Sequence, residues 1–309
     1  MIDAAAGGLT PGFYQQSCPN AESMTRSTVQ RLTLLDPTLS AALVRLVFHD
    51  CQVQGCDGSI LLATTKNQSF SPVTTSELAS SNNFGIRRLD AIDRIKSVLE
   101  ASCPGVVSCA DIVVMAARDA IALSGGPTIP ILTGRRDGTT ASAKQADDSL
   151  FPPQTPLDRV LSVFQSQGLD TVDAVALLGG HTLGVSHCPS VVNRLYPRMD
   201  SSLPLGFGAS LRLRCPATIP MNNLSIIAND FTNLAFDNRF YSDVIASTGV
   251  LTVDQQLASD PRTRGIVNQF AADRAAFFRA FARGFQKMSQ LNVLTSNAGQ
   301  VRRSCRTAN

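Results

Sequence analysis

A chain of 309 residues with 44% hydrophobic and 17% charged residues has the composition of an ordinary folded protein, large enough to bury a sizeable core as one large domain or two lobes. The net charge of +3 comes from dispersed basic residues with no aromatic-interleaved stripe, which argues against a nucleic-acid partner, and no apolar run is long enough to cross a bilayer. Eight cysteines, an even number, point to an oxidising compartment.

In chain order, Met1-Ile-Asp-Ala-Ala-Ala-Gly-Gly lacks the basic and apolar regions of a signal peptide, so residues 1–8 read as a remnant ahead of a mature chain. The apolar stretch Leu39-Ser-Ala-Ala-Leu43-Val44 predicts a buried helix that continues through Arg45-Leu-Val-Phe48-His49-Asp50-Cys51. On a 3.6-residue period Arg45 and His49 share one face, with Phe48 beside them. A cation and a titratable base on an apolar helix are costly unless they line a site. The loop that follows, Gln52 to Ser59, carries Asp57, two glycines and Cys56, and only Cys51–Cys56 is a pairing that spacing favours. Ile92, Ile95, Val98 and Leu99 mark the next helix face, ended by Cys103-Pro104-Gly105. Leu157, Val160, Leu161 and Phe164 mark another, stopped by Gly168, and Val172, Val175, Ala176 and Leu178 lead into Gly179-Gly180. Phe270, Phe277, Phe278, Phe281, Phe285 and Met288 form a stripe that reads as core. Pro/Gly-rich stretches near 125–130, 152–156 and 203–208 read as loops, strand signals are short and few, and there is no internal repeat. The pattern is all-α with minor short β elements.

The run from Arg45 to Cys51 and the Cys-Gln-Val-Gln-Gly-Cys-Asp loop resemble the distal helix and loop of haem peroxidases of the secretory plant (class III) group. Leu177-Leu-Gly-Gly-His181-Thr182-Leu-Gly184 is similar to that family's proximal haem-ligand segment. Phe13-Tyr-Gln-Gln-Ser-Cys18, Val107-Ser-Cys109-Ala-Asp111, Gly134-Arg-Arg-Asp137, Phe236-Asp237-Asn238 and Asp254-Gln255 match in family order, so the resemblance runs from about residue 9 to Cys305. It implies a single peroxidase domain over residues 9–309, with two helical lobes sandwiching a haem. The distal lobe would take about 9–150 plus the tail 295–309, and the proximal lobe about 151–294. It also implies the disulfides Cys18–Cys103, Cys51–Cys56, Cys109–Cys305 and Cys188–Cys215, one non-covalent haem b and two calcium ions.

The resemblance also implies roles. His49 would move the peroxide proton, Arg45 would stabilise separating charge, Phe48 would line the site, and His181 would be the axial iron ligand with Asp254 on its other nitrogen. The distal base needs an amide acceptor. Asn82 is the best match, but Glu77-Leu-Ala-Ser-Ser-Asn82-Asn83 is one residue shorter than the family spacing, so Asn83 is an alternative and the place of Glu77 is open. The distal calcium would use Asp50, Asp57, Ser59 and the Val53 and Gly55 carbonyls, oxygen donors suited to a hard cation. The proximal one would use Thr182, Thr232 and Asp237, with Asn229 where the family has Asp and Asp230 next to it. Asp111 with Arg135 resembles a structural ion pair. The substrate edge departs from the family: Phe151 aligns with a proline unless Pro152 slips into place, Ile129 replaces a tryptophan and Gln52 an aromatic.

The expected function is a secreted haem peroxidase, monomeric, in apoplast or cell wall, reducing hydrogen peroxide and oxidising small phenols. The alternative is an extracellular haem- and calcium-binding protein with little turnover. A zinc enzyme has no support: there is no Cys-x-x-Cys, no His-Glu-x-x-His, and only three histidines. Asn67-Gln-Ser69 and Asn223-Leu-Ser225 are glycosylation sequons.

Overall fold

The computed structural model describes residues 8–63, 76–217 and 225–309; Asn67 and Asn223, the sequon asparagines, lie outside them. The described residues are mostly helical, with one two-stranded sheet and four disulfides. They separate into two compact units. One holds the described residues up to Leu123, Thr128–Leu150 and Gln286–Asn309, and the other holds Ser124–Pro127 and Phe151–Phe285. The tail of the first unit therefore starts at Gln286, earlier than the residue 295 expected from the sequence.

The first unit is built from α1 (Ala21–Leu35), α2 (Leu39–Val53), α3 (Leu89–Ser102), α4 (Cys109–Leu123) and α5 (Ala143–Ser149). Helix α4 is rich in Ala, Val, Ile and Met and is buried on nearly every side, so α1, α2 and α3 can all pack against it. Its one early charge is offset inside the core. Arg135 Nη1 donates to Asp111 Oδ1 at 2.8 Å, and the Tyr14 hydroxyl and Gly134 N donate to Asp111 Oδ2, each at 2.7 Å. The Asp111–Arg135 pair is thus structural, as its resemblance implied. Cys18–Cys103, Cys51–Cys56 and Cys109–Cys305 tie this unit together, the last across 196 residues.

The second unit comprises α6 (Leu157–Ser166), α7 (Thr171–Leu178), α8 (Val192–Leu195), α9 (Leu205–Arg214), α10 (Arg239–Ile245), α11 (Thr252–Ser259), α12 (Arg264–Ala272) and, through Phe285, α13 (Arg274–Met288). Strands β1 (Val185–His187) and β2 (Ile226–Ala228) pair antiparallel with Ser186 opposite Ile227. Leu157, Val160, Leu161 and Phe164 are the buried face of α6. Helix α7 starts with a reciprocal capping box: Asp173 N donates to Asp170 Oδ1 at 2.8 Å and Asp170 N to Asp173 Oδ2 at 3.1 Å. The aromatic stripe is core, with Phe270, Phe277, Phe281, Phe285 and Met288 buried, while Phe278 is half-buried under the Arg274 guanidinium.

One expected loop is a helix. In the 203–208 stretch Pro204 is the N-cap of α9, which begins at Leu205. A proline at a helix start forgoes no internal hydrogen bond. Leu203 and Leu211 then anchor the segment in a small apolar cluster with Val191, Leu195 and the Cys188–Cys215 disulfide.

Candidate active site

In the first unit, α2 buries Leu39, Leu43, Leu46 and Val47, which orients its remaining face. Arg45 and His49 are one turn apart on that face, and Arg45 Nε donates to His49 Nε2 at 3.1 Å. His49, 8% exposed, meets Asn83 Oδ1 through Nδ1 at 2.7 Å. Asn83 is itself oriented, because its Nδ2 donates to the Glu77 carbonyl at 2.7 Å. With the amide oxygen turned to His49 and Arg45 donating at Nε2, the network assigns the proton to Nδ1 and leaves Nε2 as the basic nitrogen. Burial pushes the Arg45 guanidinium down to about 10, so it remains a cation at neutral pH. Phe48 stands edge-on to His49, ring centroids 5.8 Å apart.

The acceptor expected at Asn82 is at Asn83. Asn82 instead directs its amide Nδ2 to the Asp147 carbonyl at 3.5 Å, and its own carbonyl oxygen accepts from Arg45 Nη2 at 3.5 Å. Two short 3₁₀ turns, Glu77–Ala79 and Ser81–Asn83, explain the shift. Each is capped by a serine hydroxyl, Ser76 and Ser80, and this winding leaves Asn82 half-buried and turns Asn83 into the interior.

The loop after α2 gathers oxygen. Asp50 Oδ2 accepts from Gly58 N at 3.0 Å, and Asp57 Oδ1 accepts from Ser59 N at 2.9 Å. Gly58 adopts φ 70°, the left-handed turn that brings Asp57 back toward α2. Asp50 and Glu77 are both 0% exposed. Burial, then the charges of Asp57 and Glu77, push Asp50 well above the usual carboxylate range; burial raises Asp57, and pushes Glu77 up to about 7. The Ser59 hydroxyl and Glu77 Oε2 are buried with no partner at hydrogen-bonding geometry. Crowded buried carboxylates around a buried hydroxyl are what a hard divalent cation would satisfy, so these residues fit calcium. Among the described residues no three His, Cys, Asp or Glu side chains converge as a metal-ligand group, so such a site would depend on hydroxyl and carbonyl oxygens as well.

In the second unit, α7 runs into a 3₁₀ turn, Gly179–Thr182, that carries His181. His181 Nδ1 hydrogen-bonds Asp254 Oδ1 at 2.9 Å, and Asp254, in the first turn of α11, is buried. This pairing assigns Nδ1 to the carboxylate and leaves Nε2 as the nitrogen that would hold a metal, so the residues fit haem. The two glycines before His181 have different reasons. A Cβ on Gly179 would overlap the Tyr241 hydroxyl, so Gly179 serves the packing of this turn on α10; at Gly180 the nearest atom would be Phe281 at 3.4 Å.

Next to it, Thr182 Oγ1 donates to Asp230 Oδ2 at 2.7 Å, and lies 3.3 Å from Asp237 Oδ1, while Thr232 Oγ1 contacts Asp230 at 3.3 Å and Asp237 at 3.1 Å. Asn229 is elsewhere: its Oδ1 accepts from Ser186 Oγ at 2.7 Å. The structure therefore groups Asp230, not Asn229, with Thr182, Thr232 and Asp237. The reason is the β1–β2 pairing: Asn229, the first residue past β2, is held by its N–H on the Gly184 carbonyl at 3.2 Å, so the following residue turns in. Burial pushes Asp230 up to about 6, with Asp237 adding to it. Phe151 stacks edge-on against Phe164 at 5.8 Å, and Pro152 is exposed. His187 lies in β1, half-buried.

A family profile described as Peroxidase matches residues 25–273. The chain is similar to three proteins of Arabidopsis thaliana: Peroxidase 29 (43% identity, covering 96% of this chain and 88% of the relative), Peroxidase 57 (43%, 100% and 95%) and Peroxidase 28 (40%, 100% and 96%). The chain belongs to the peroxidase family, in its plant class III group. It is a peroxide-reducing enzyme, and haem is the cofactor its family implies. The alternative of a haem- and calcium-binding protein with little turnover is not favoured, since the relatives are named peroxidases and Arg45 and His49 are paired on α2.

Proposed function

We infer that the reaction is the reduction of hydrogen peroxide followed by one-electron oxidation of small phenols, with one non-covalent haem b ligated by His181 Nε2. Haem, when bound, would store the two oxidising equivalents that peroxide delivers until two one-electron donors remove them. His49 Nε2 takes the proton from the peroxide oxygen that will be retained and returns it to the departing oxygen, so that water leaves. Asn83 Oδ1 holds the Nδ1 proton throughout and keeps Nε2 the basic atom. The Arg45 guanidinium, one turn away, offsets negative charge on the separating oxygen. Asp254 gives His181 anionic character and strengthens its donation. The observation that carries this reading is the Arg45–His49–Asn83 chain, because a protein that only binds haem has no use for an oriented base with a cation beside it.

Two calcium ions belong to the same reading. The distal one would be held by Asp50, Asp57 and Ser59 with the Val53 and Gly55 carbonyls, and the proximal one by Thr182, Asp230, Thr232 and Asp237. Small aromatic donors would meet the chain at Phe151 and Pro152. Four disulfides support secretion to the apoplast or cell wall; among the described residues no helix is long and apolar enough to cross a membrane. A monomer is the expected state.

The test is the visible spectrum before and after one equivalent of hydrogen peroxide, then a phenol. The wild-type Soret band should change within the mixing time and return on adding the phenol. His49→Ala should slow the change by about 100-fold or more, the contribution of a positioned general base, with haem still bound. A wild-type rate in that variant would remove His49 from its role.

A further inference from the structure

The C-terminal tail delivers a buried cation to the oxygen-rich loop. Arg302 is 0% exposed, yet its Nε and Nη1 find no hydrogen-bond partner. Its Nη2 donates to the Gly58 carbonyl at 2.6 Å. That same glycine donates its N–H to Asp50, and it lies between Asp57 and Ser59, so the two ends of one residue are held by a carboxylate on α2 and by the tail. A Cβ on Gly58 would stand 2.5 Å from Arg302 Nη2, so a larger residue there would have to push the guanidinium off the carbonyl.

Burying a guanidinium with two unpartnered nitrogens works against stability. An apolar side chain of similar volume would fill the space but leave Asp137, also buried, without its cation, so Arg302 holds two things: the Asp137 charge and, through Nη2, the Gly58 carbonyl. We propose that Arg302 is a positioning residue for the distal calcium loop: by holding the Gly58 carbonyl it fixes the turn between Asp57 and Ser59, so that the tail sets how tightly the loop binds calcium. The proposal rests on reading this loop as a calcium site.

The charge of Arg302 does not defeat the role, because Asp137 accompanies it. Asp137 Oδ2 accepts from Arg302 N at 2.8 Å and lies 3.7 Å from its Nε, so the pair presents little net charge to a nearby cation. The pair is also anchored on both sides. Asp137 Oδ1 accepts from Ala110 N at 2.8 Å in α4, Asp137 and Gln300 exchange backbone hydrogen bonds, and Cys305, three residues on, is bonded to Cys109. A second tie joins the tail to the residues past the loop, Ala63 N donating to the Arg306 carbonyl at 3.0 Å.

The experiment measures calcium affinity by competition with a chromophoric chelator, and melting temperature with and without calcium, on the haem-loaded full chain. Asp57→Asn should abolish one of the binding sites; unchanged binding in that variant would overturn the calcium reading of the loop itself. The double variant Arg302→Gln/Asp137→Asn, which removes both charges together, should weaken that site at least tenfold and leave the other site unchanged. Arg302→Lys keeps the charge but not the planar fork, and its affinity should fall between those of wild type and the double variant. If Arg302 is merely structural, the variants melt lower by the same amount with and without calcium and their affinity is that of wild type, which would overturn the proposal. Should the double variant fail to fold, the rate of calcium release from Arg302→Lys decides: faster release supports the positioning role, and an unchanged rate overturns it.

Discussion

Asn83 illustrates how much a single residue's neighbours decide. Its side chain is a bridge, accepting from His49 and donating to the Glu77 backbone, so its two amide atoms are assigned by the network. Losing a hydrogen bond of this kind costs about 1.5 kcal/mol, about tenfold in rate. Asn83→Ala should therefore slow the reaction with hydrogen peroxide by about tenfold, while Asn82→Ala should leave it near wild type; stopped-flow absorbance at the Soret band would measure both. Equal effects would mean that the asparagines share the role. The same scale holds the Asp230 finding, where a one-residue offset after β2 exchanges an amide for a carboxylate in the oxygen cluster.

Among the elements, the turn from α7 to His181 depends on how closely it approaches α10. Gly179 leaves room for Tyr241, whose hydroxyl donates to the Val175 carbonyl at 3.0 Å. Gly179→Ala should destabilise the protein by about 1–3 kcal/mol through overpacking, read as a lower denaturation midpoint. It should also loosen haem, since His181 is two residues away. At its other end α7 is held by Asp170 and by Arg283, whose Nε donates to Asp173 at 2.7 Å. Asp170→Ala should cost about 1 kcal/mol, the usual loss for an N-cap, with haem retention unaffected. The contrast between these two variants separates general loosening of α7 from displacement of the ligand turn.

Across the whole molecule, stability rests on covalent and ionic ties as well as on apolar burial. A bridge spanning 196 residues, Cys109–Cys305, restricts the unfolded chain strongly, and in the chain-entropy account a loop this long contributes about 5 kcal/mol. Calcium at 100 times its dissociation constant would add about 2.7 kcal/mol per site. Stripping calcium with a chelator should therefore lower the melting temperature by several degrees, and restoring calcium should reverse it. Asp50→Asn/Asp57→Asn should abolish that response at the distal loop by removing both carboxylates, and an undiminished response would assign the stabilisation to the second unit.

Local sequence determined a good deal by itself. Helical periodicity and the i,i+4 relation of Arg45 to His49 depend on neighbours within a turn or two, so α2, α6, α7 and the aromatic core of α13 were readable without coordinates, and the motif order was enough to imply all four disulfides. What tertiary structure decided are matters of register and approach: Asn83 over Asn82, Asp230 over Asn229, a helix from Leu205 where Pro and Gly suggested a loop, and Tyr241 as the reason for Gly179. Each turns on a shift of one residue or on a partner far away in the chain, as with Arg302 and Gly58. A one-residue change in winding exchanges which side chain points inward without altering composition or periodicity, and only the packed neighbours choose between the two.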